Sequence, residues 1–374
     1  MRGIATNSGT ESPLPRTMRG VQLLGLGGAE QLRFREDLPV PHPAAGEVLV
    51  RVGAAAVNNT DINTRTGWYS RAARPGDAAA PLPTPVGTAV QDSAWTGAAF
   101  RFPRIQGADA CGRIVAVGAG VAAARVGERV LVDPVLRGGA GAPRAADHTG
   151  YLGADRDGAF AQFLSVPAAN AHAVHSSLGD VELASFPCSS LAAENMLSRA
   201  AVGRGEVVLI TGASGGVGTA AIQLALRRGA RVIAIADAAK SAALQALGAT
   251  RVLPRDADLL ATLGQESVDV VIDCVGGAQF PQFAGLLKHA GRYAVAGAIG
   301  GAIVELDLRL LYLKDLTLLG CTIPEPGLFG QLMGYIERGE IRPLVSATYA
   351  LRDIHSAQEQ FLRKAHIGKI VLVP

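Results

Sequence analysis

The chain has 374 residues, 46 of them glycine, with 49% hydrophobic and 18% charged residues and a formal net charge of +3. That length exceeds one ordinary core and points to two domains, and the composition excludes disorder over most of the chain. A balance so near neutral, with no Lys/Arg cluster, argues against nucleic acid as a partner.

Residues 1–17, "MRGIATNSGTESPLPRT", are polar and lack the hydrophobic stretch of a signal peptide, so they read as a flexible tail. No apolar run approaches the ~20 residues of a membrane span, which argues against a membrane partner. Cys111, Cys188, Cys274 and Cys321 are isolated from one another and read as reduced thiols, the pattern of a cytoplasmic protein. From Met18 onward, "EVLVRVGAAAVN" (47–58), "CGRIVAVG" (111–118), "GERVLVDP" (127–134) and "AFAQFLSVP" (159–167) are strands divided by glycine turns. They predict a barrel-like β domain. Between the first two lies a Pro/Ala/Gly-rich connection, residues 70–104, with little periodicity. A connection that long is uncommon unless it serves a site, and it is expected to shape substrate access.

From about residue 205 strands and helices alternate. "EVVLI" (206–210), "RVIAIA" (231–236), "RVL" (251–253), "VDVVIDCVG" (268–276), "GRYAVAGAIG" (291–300) and "LTLLGC" (316–321) are apolar runs separated by helical stretches. Such runs suit parallel strands covered on both faces, and their succession predicts a doubly wound sheet. The last strand, "HIGKIVLVP" (366–374), returns most simply to the first domain.

The loop "LITGASGGVGTA" (209–220) follows a strand and opens a helix, the context in which a glycine motif binds a dinucleotide. Gly212 and Gly215 permit a tight turn and close backbone approach. Gly218 lets the helix pack on the strand, and the helix N-terminus, with Ser214, Gly216 and Val217, faces a pyrophosphate. Thr211, Gly212, Gly216 and Gly218 also spell the TGxxxGxG of short-chain dehydrogenases. Those enzymes carry the loop near the N-terminus and need a Tyr-x-x-x-Lys pair, and no tyrosine of this chain begins one.

With "PHPAAGEVLVRV", "VNNTDINTRTGWY", "GADACGRIVAVGAGV", "VGERVL", "DGAFAQFLSVP", "VIDCVGG" and "GKIVLVP" in order around that loop, the chain resembles the quinone oxidoreductase branch of the medium-chain dehydrogenase/reductase superfamily. The resemblance runs from about Met18 to the C-terminus, except over 70–104, where relatives have a shorter connection. It implies an α/β protein: a doubly wound Rossmann domain over 180–323 and a β-rich GroES-like catalytic domain over 18–179 and 324–374. It also implies a homodimer through an edge strand near 316–321.

Zinc members of the superfamily hold their catalytic metal with a Cys, a His-Glu pair and a second Cys. At those positions this chain has Asn58, Ala108-Asp109 and Cys188, and residues 134–158, where the structural zinc lobe would be, hold no cysteine. One thiol and one carboxylate make a poor zinc site, so no metal is expected. Cys188 reads as a small buried apolar residue, and His148, His172 and His175 read as loop or surface histidines. For the cofactor, Asp237 would bind a ribose 2′-hydroxyl and argue for NAD. Against it, the resemblance implies that Lys240 and Arg255 bind a 2′-phosphate, so NADP is expected and NAD is the alternative. "CVGG" and "GAIG" should set the backbone of Cys274, Val275, Gly297, Ala298 and Ile299 against the nicotinamide and its ribose.

Hydride transfer needs positioning and a way to stabilise charge on oxygen. By resemblance Asn58 is the asparagine near the nicotinamide, and Tyr69 stands where enoyl-reducing relatives carry a proton donor; packing beside Trp68 is its other reading. Asp61 reads as a structural residue with Arg65 as its i+4 partner. Glu194 is open between acid or base, an arginine partner and a solvent-facing group. Lys364 and Lys369 either approach the cofactor or face solvent. The expected activity is hydride transfer from NADPH to a quinone or α,β-unsaturated carbonyl. The alternatives are an NAD(P)-dependent alcohol dehydrogenase and a nucleotide-binding protein with little catalysis.

Overall fold

The computed structural model describes residues 13–69, 100–137 and 148–374. Most of the connection at 70–104 therefore lies outside the described residues. The chain divides into two units: Met1–Cys188 with Val345–Ala365 and Lys369–Pro374, and Ser189–Leu344 with His366–Gly368. Residues 324–344 fall in the second unit.

The first unit is built of short strands. They are β1 (Thr17–Leu23), β2 (Leu32–Pro39), β3 (Glu47–Ala56), β4 (Arg104–Ile105), β5 (Cys111–Val117), β6 (Arg129–Val132), β7 (Val135–Arg137), β8 (His148–Tyr151), β9 (Phe163–Pro167) and β10 (Ala171–Ala173). Two helices accompany them, α1 (Asn59–Thr66) and α2 (Asp180–Leu183); a third, α3 (Pro187–Arg199), starts at the boundary between the units. Strand β3 carries the organisation. Val48, Val50 and Val52 are buried along it, and it pairs with β5 and β9. Alternating β-branched residues with neighbours on both edges make it a central strand.

The second unit holds β11 (Val207–Ile210), α4 (Gly216–Arg227), β12 (Arg231–Ile235), α5 (Ser241–Ala246), β13 (Arg251–Leu253), α6 (Leu259–Leu263) and β14 (Val268–Asp273). After them come α7 (Phe280–Leu286), β15 (Leu287–Val295), α8 (Leu308–Leu313), β16 (Thr317–Gly320) and α9 (Leu328–Glu337). Its six strands are parallel, in the order β13-β12-β11-β14-β15-β16. Strand order reverses at β11, the first strand, so the switch point of the sheet lies between β11 and β14, where such sheets bind ligands. Leu209, Ile233, Val271, Phe283 and Tyr293 belong to one apolar core on this sheet. The doubly wound reading of the sequence holds.

The chain then returns to the first unit as β17 (Val345–Ala350), α10 (Ile354–Leu362) and β18 (Lys369–Val373). Strand β18 pairs antiparallel with β3 through Val371 and Ala56, and parallel with β17. This closes a seven-stranded sheet, β10-β6-β5-β3-β18-β17 with β9 on β3. The pairing delivers Lys369, first residue of β18, to the level of Asn58 just past the end of β3.

Candidate functional site

In the second unit, the turn after β11 is set by Gly212 at φ 56°, a conformation costly for a side chain. Gly215 N donates to Gly212 O at 3.0 Å, and α4 begins at the next residue. The first-turn N–H groups of a helix have no intrahelical acceptor, so Gly216, Val217 and Gly218 offer theirs to an anion. The loop and its setting fit a dinucleotide pyrophosphate.

Two further loops are tied to this turn by one buried carboxylate. Asp273, wholly buried at the end of β14, accepts from Thr211 Oγ1 at 2.5 Å and Tyr293 OH at 2.5 Å. It also accepts from Val275 N at 2.8 Å and Gly276 N at 3.0 Å, while Cys274 N donates to Thr211 Oγ1 at 3.0 Å. Burial pushes the Cys274 thiol up to about 12, so this cysteine contributes backbone rather than a thiolate. The 297–301 loop joins through Gly300 N to Val275 O at 2.7 Å and Gly277 N to Gly301 O at 3.1 Å. Gly297, Ala298 and Ile299 therefore stand beside Cys274 and Val275, with Ile299 half-exposed.

Past β12, Lys240 is buried and donates to Ser214 Oγ at 3.2 Å and to His366 O at 2.9 Å. Burial lowers its pKa, and the nearby Arg255 guanidinium lowers it further. The two cations lie within electrostatic reach of one another. The Asp237 carboxylate instead accepts from Ala239 N at 3.0 Å and caps its own turn. Glu194 is no free acid or base: its two oxygens take Arg228 Nη1 at 2.9 Å and Nη2 at 2.6 Å, a bidentate pair.

In the first unit a polar cluster surrounds the end of β3. Asn58 N donates to Asp61 Oδ2 at 2.7 Å, which starts α1. Asn58 Nδ2 donates to Asp109 Oδ2 at 2.8 Å and to Ala56 O at 3.1 Å. Lys369 Nζ donates to Asn58 Oδ1 at 2.5 Å and Asp109 Oδ2 at 2.8 Å. The remaining Asp109 oxygen, Oδ1, accepts from Cys188 N at 2.6 Å. Cys188 Sγ accepts from Tyr151 OH at 3.1 Å. Burial, with the Asp109 charge, pushes the Cys188 thiol up to about 12, and burial raises Tyr151 as well. A buried thiol with so raised a pKa is a poor nucleophile. Lys369 is buried, not solvent-facing.

The ion pair expected between Asp61 and Arg65 does not form among the described residues. Arg65 turns back to donate to Gly27 O at 2.9 Å, leaving Asp61 to cap α1. Tyr69 lies just beyond Gly67, the left-handed residue that ends α1, and accepts from Asn63 Nδ2 at 3.3 Å. It is half-buried and lies within electrostatic range of Tyr151. Lys364 donates to Asn59 Oδ1 at 3.1 Å. His172 is half-buried in β10, His175 is exposed, and His148 is part of β8.

The alcohol dehydrogenase GroES-like domain family matches residues 44–176, and the zinc-binding dehydrogenase family matches 216–338. A putative alcohol dehydrogenase from Sinorhizobium meliloti 1021, of known structure, is 45% identical, with a TM-score of 0.86 over 96% of this chain and 98% of its own. The chain belongs to the medium-chain dehydrogenase/reductase superfamily. It is an oxidoreductase, and a nicotinamide cofactor is what this family leads one to expect. Human quinone oxidoreductase is 28% identical to this superfamily member, over 96% of this chain and 98% of its own. Acryloyl-coenzyme A reductase of Metallosphaera sedula is also 28% identical, over 95% and 99%.

The zinc implied by one matching family does not fit these residues. Ala108 offers no donor, both Asp109 oxygens are engaged, and the Asn58 carbonyl faces an ammonium. Cys188 would be the one thiol in such a site. Among the described residues no three His, Cys, Asp or Glu side chains come together as a metal site. No helix among them is long and apolar enough to cross a membrane.

Sequence reasoning missed Asp273, Tyr293 and Tyr151 and left Lys369 undecided. Asp273 had a readable signal, a carboxylate ending an apolar strand beside the switch point. Tyr151 and Lys369 had none, because only strand pairing brings them to Asn58 and Cys188.

Proposed function

We propose that the protein is a zinc-independent reductase that uses NADPH to reduce a quinone or an α,β-unsaturated carbonyl. The observation that carries this reading is that the Lys369 ammonium engages Asn58 Oδ1 and Asp109 Oδ2 while Cys188 N engages Asp109 Oδ1, which makes a poor donor set for a Lewis-acid metal. The names of the human and Metallosphaera relatives support the substrate class.

The bound nicotinamide supplies a hydride. The protein's own tasks are to hold the acceptor and to furnish one proton to the oxygen or carbon that gains charge. Reduction of either acceptor class consumes one hydride and one proton. Tyr69, whose hydroxyl oxygen accepts from Asn63, is the proposed proton donor, since a phenol hydroxyl can donate to a developing enolate. Asn58, its amide fixed by Lys369 and Asp109, is the proposed orienting group. Gly212, Ser214, Gly215, Gly216, Val217 and Gly218 hold the pyrophosphate, and the 274–275 and 297–299 backbone lines the nicotinamide ribose.

Lys240 and Arg255 receive the 2′-phosphate. Lys240→Ala with Arg255→Ala should therefore weaken NADPH binding about 100-fold through loss of two charge-assisted contacts, and NADH binding far less. Fluorescence titration of both cofactors checks this; equal losses would leave the pair with no part in the 2′-phosphate.

The reading also takes the protein as a cytoplasmic homodimer. Its support is the exposed apolar set Leu308, Tyr312, Leu313 and Leu318 on and before the edge strand β16.

The deciding assay is cofactor oxidation by chelator-treated protein with quinones, enones and aldehydes, NADPH and NADH side by side. Quinone or enone turnover that survives chelation supports the proposal. Aldehyde turnover lost on chelation and restored by zinc makes the protein an alcohol dehydrogenase. Tight NADPH binding with no acceptor turned over makes it a nucleotide-binding protein.

A further inference from the structure

A lysine whose side chain is 5% exposed is unusual, because an ammonium is costly to remove from water unless charge and hydrogen bonds compensate it. Lys369 meets that condition by an arrangement centred on two residues, Asn58 and Asp109, that stand where zinc dehydrogenases carry metal ligands. Its Nζ lies 2.5 Å from Asn58 Oδ1 and 2.8 Å from Asp109 Oδ2, and Asn58 Nδ2 donates to that same carboxylate oxygen at 2.8 Å. Ammonium, amide and carboxylate form a closed triangle. The amide orientation follows from chemistry: only its carbonyl can face an ammonium, and only its NH2 can face a carboxylate.

We propose that Lys369 is the resident cation of this site: it occupies the oxygen donors of Asn58 and Asp109, keeps divalent metals out, and fixes both side chains for hydride transfer. It is a positioning residue, acting through Asn58. The proposal rests on the metal-free reading above and goes beyond it by naming what replaces the metal. A neutral residue at 369 would leave the Asn58 carbonyl without the ammonium that holds it and the Asp109 carboxylate without its cation.

The test uses the full-length protein as wild type, K369R, K369M and the charge-balanced pair K369M/D109N. Cobalt(II) is titrated into each while thiolate-to-cobalt absorption is followed, and kcat and the KM for NADPH are measured with a quinone or enone acceptor. Wild type and K369R should show no cobalt–thiolate band. K369M should lose about 100-fold in kcat at little-changed KM for NADPH, the size of loss that misplacing a positioning group produces. K369R should recover at least about a tenth of the wild-type kcat, because it keeps the charge with a different geometry. Should K369M not fold, K369M/D109N carries no uncompensated charge and should show the same loss in kcat. One equivalent of cobalt bound by wild type, with a band abolished by C188S, would overturn both this proposal and the metal-free reading. Wild type free of cobalt, with K369M or K369M/D109N retaining the wild-type kcat, would overturn this proposal alone.

Discussion

Gly218→Ala should destabilise the second unit by about 2 kcal/mol or more and abolish dinucleotide binding, whereas Gly215→Ala should abolish binding and leave stability almost unchanged. A methyl at Gly218 would lie 2.4 Å from Gly212 O and 2.5 Å from Ala213 Cα. Both are backbone atoms of the turn after β11, so neither can swing aside. Helix propensity favours alanine over glycine by about 1 kcal/mol. Overpacking against rigid neighbours costs about 3 kcal/mol or more at this severity, so the clash wins. At Gly215 a methyl would meet only Gly212 O, at 3.5 Å, and its φ of −78° suits any residue. What that methyl obstructs is the close approach of a pyrophosphate to the backbone. Urea unfolding and cofactor titration of the two variants separate these effects. Normal stability in Gly218→Ala would mean that α4 can shift off β11, and unimpaired binding in Gly215→Ala would remove the pyrophosphate from this loop.

Those glycines were legible because backbone geometry is local. Gly212 and Gly215 follow an apolar strand and precede an amphipathic helix, and Gly218 lies in that helix's first turn, so their conformational and packing roles could be read before any packing was known. Parallel strands were legible for the same reason, through apolar runs at regular spacing. Limits appear where a run outlasts its element: "GRYAVAGAIG" reads as one strand to residue 300, yet β15 ends at Val295. Residues 297–301 turn aside to hydrogen-bond the 274–277 loop, and nothing in their hydrophobicity records it. The polar cluster was the least legible part. Asn58, Asp109, Tyr151, Cys188 and Lys369 come from five separate places in the chain, and the pairing of β18 with β3 brings the last of them in. Lys369 in "GKIVLVP" has the form of an exposed strand terminus, and the Asp109 carboxylate and the Asn58 carbonyl offset the cost of its burial.

Charge counting in that cluster leads to the other large effect, on Asp61. Lys369 brings one positive charge, and Asp109 takes it at 2.8 Å. Asp61 is a second carboxyl in the same surroundings, with Arg65 within electrostatic reach but not hydrogen-bonded to it. Burial raises its pKa to about 7; the Asp109 charge also raises it, while the bond from Asn58 N and the Lys369 charge lower it. Arg65, on the same helix, is turned to Gly27 O. Unfolded, Asp61 titrates near 3.9. Between these values the folded protein holds a proton that the unfolded chain has released, so stability falls as pH rises from about 4 to 7 and stays lower above it. For a single buried group this amounts to at most about 4 kcal/mol. Asp61→Asn abolishes the titration and keeps an acceptor for Asn58 N. The melting temperature of Asp61→Asn should therefore lie near that of wild type at or below about pH 4, exceed it progressively toward pH 7 and level off above it. Asp133, raised to about 6 by burial, titrates in the same direction but is common to both proteins and cancels in the difference. Thermal melts of the two proteins at half-unit steps across this range give the answer. A difference that does not change with pH would mean that Asp61 stays ionised in the fold and shares Lys369 with Asp109.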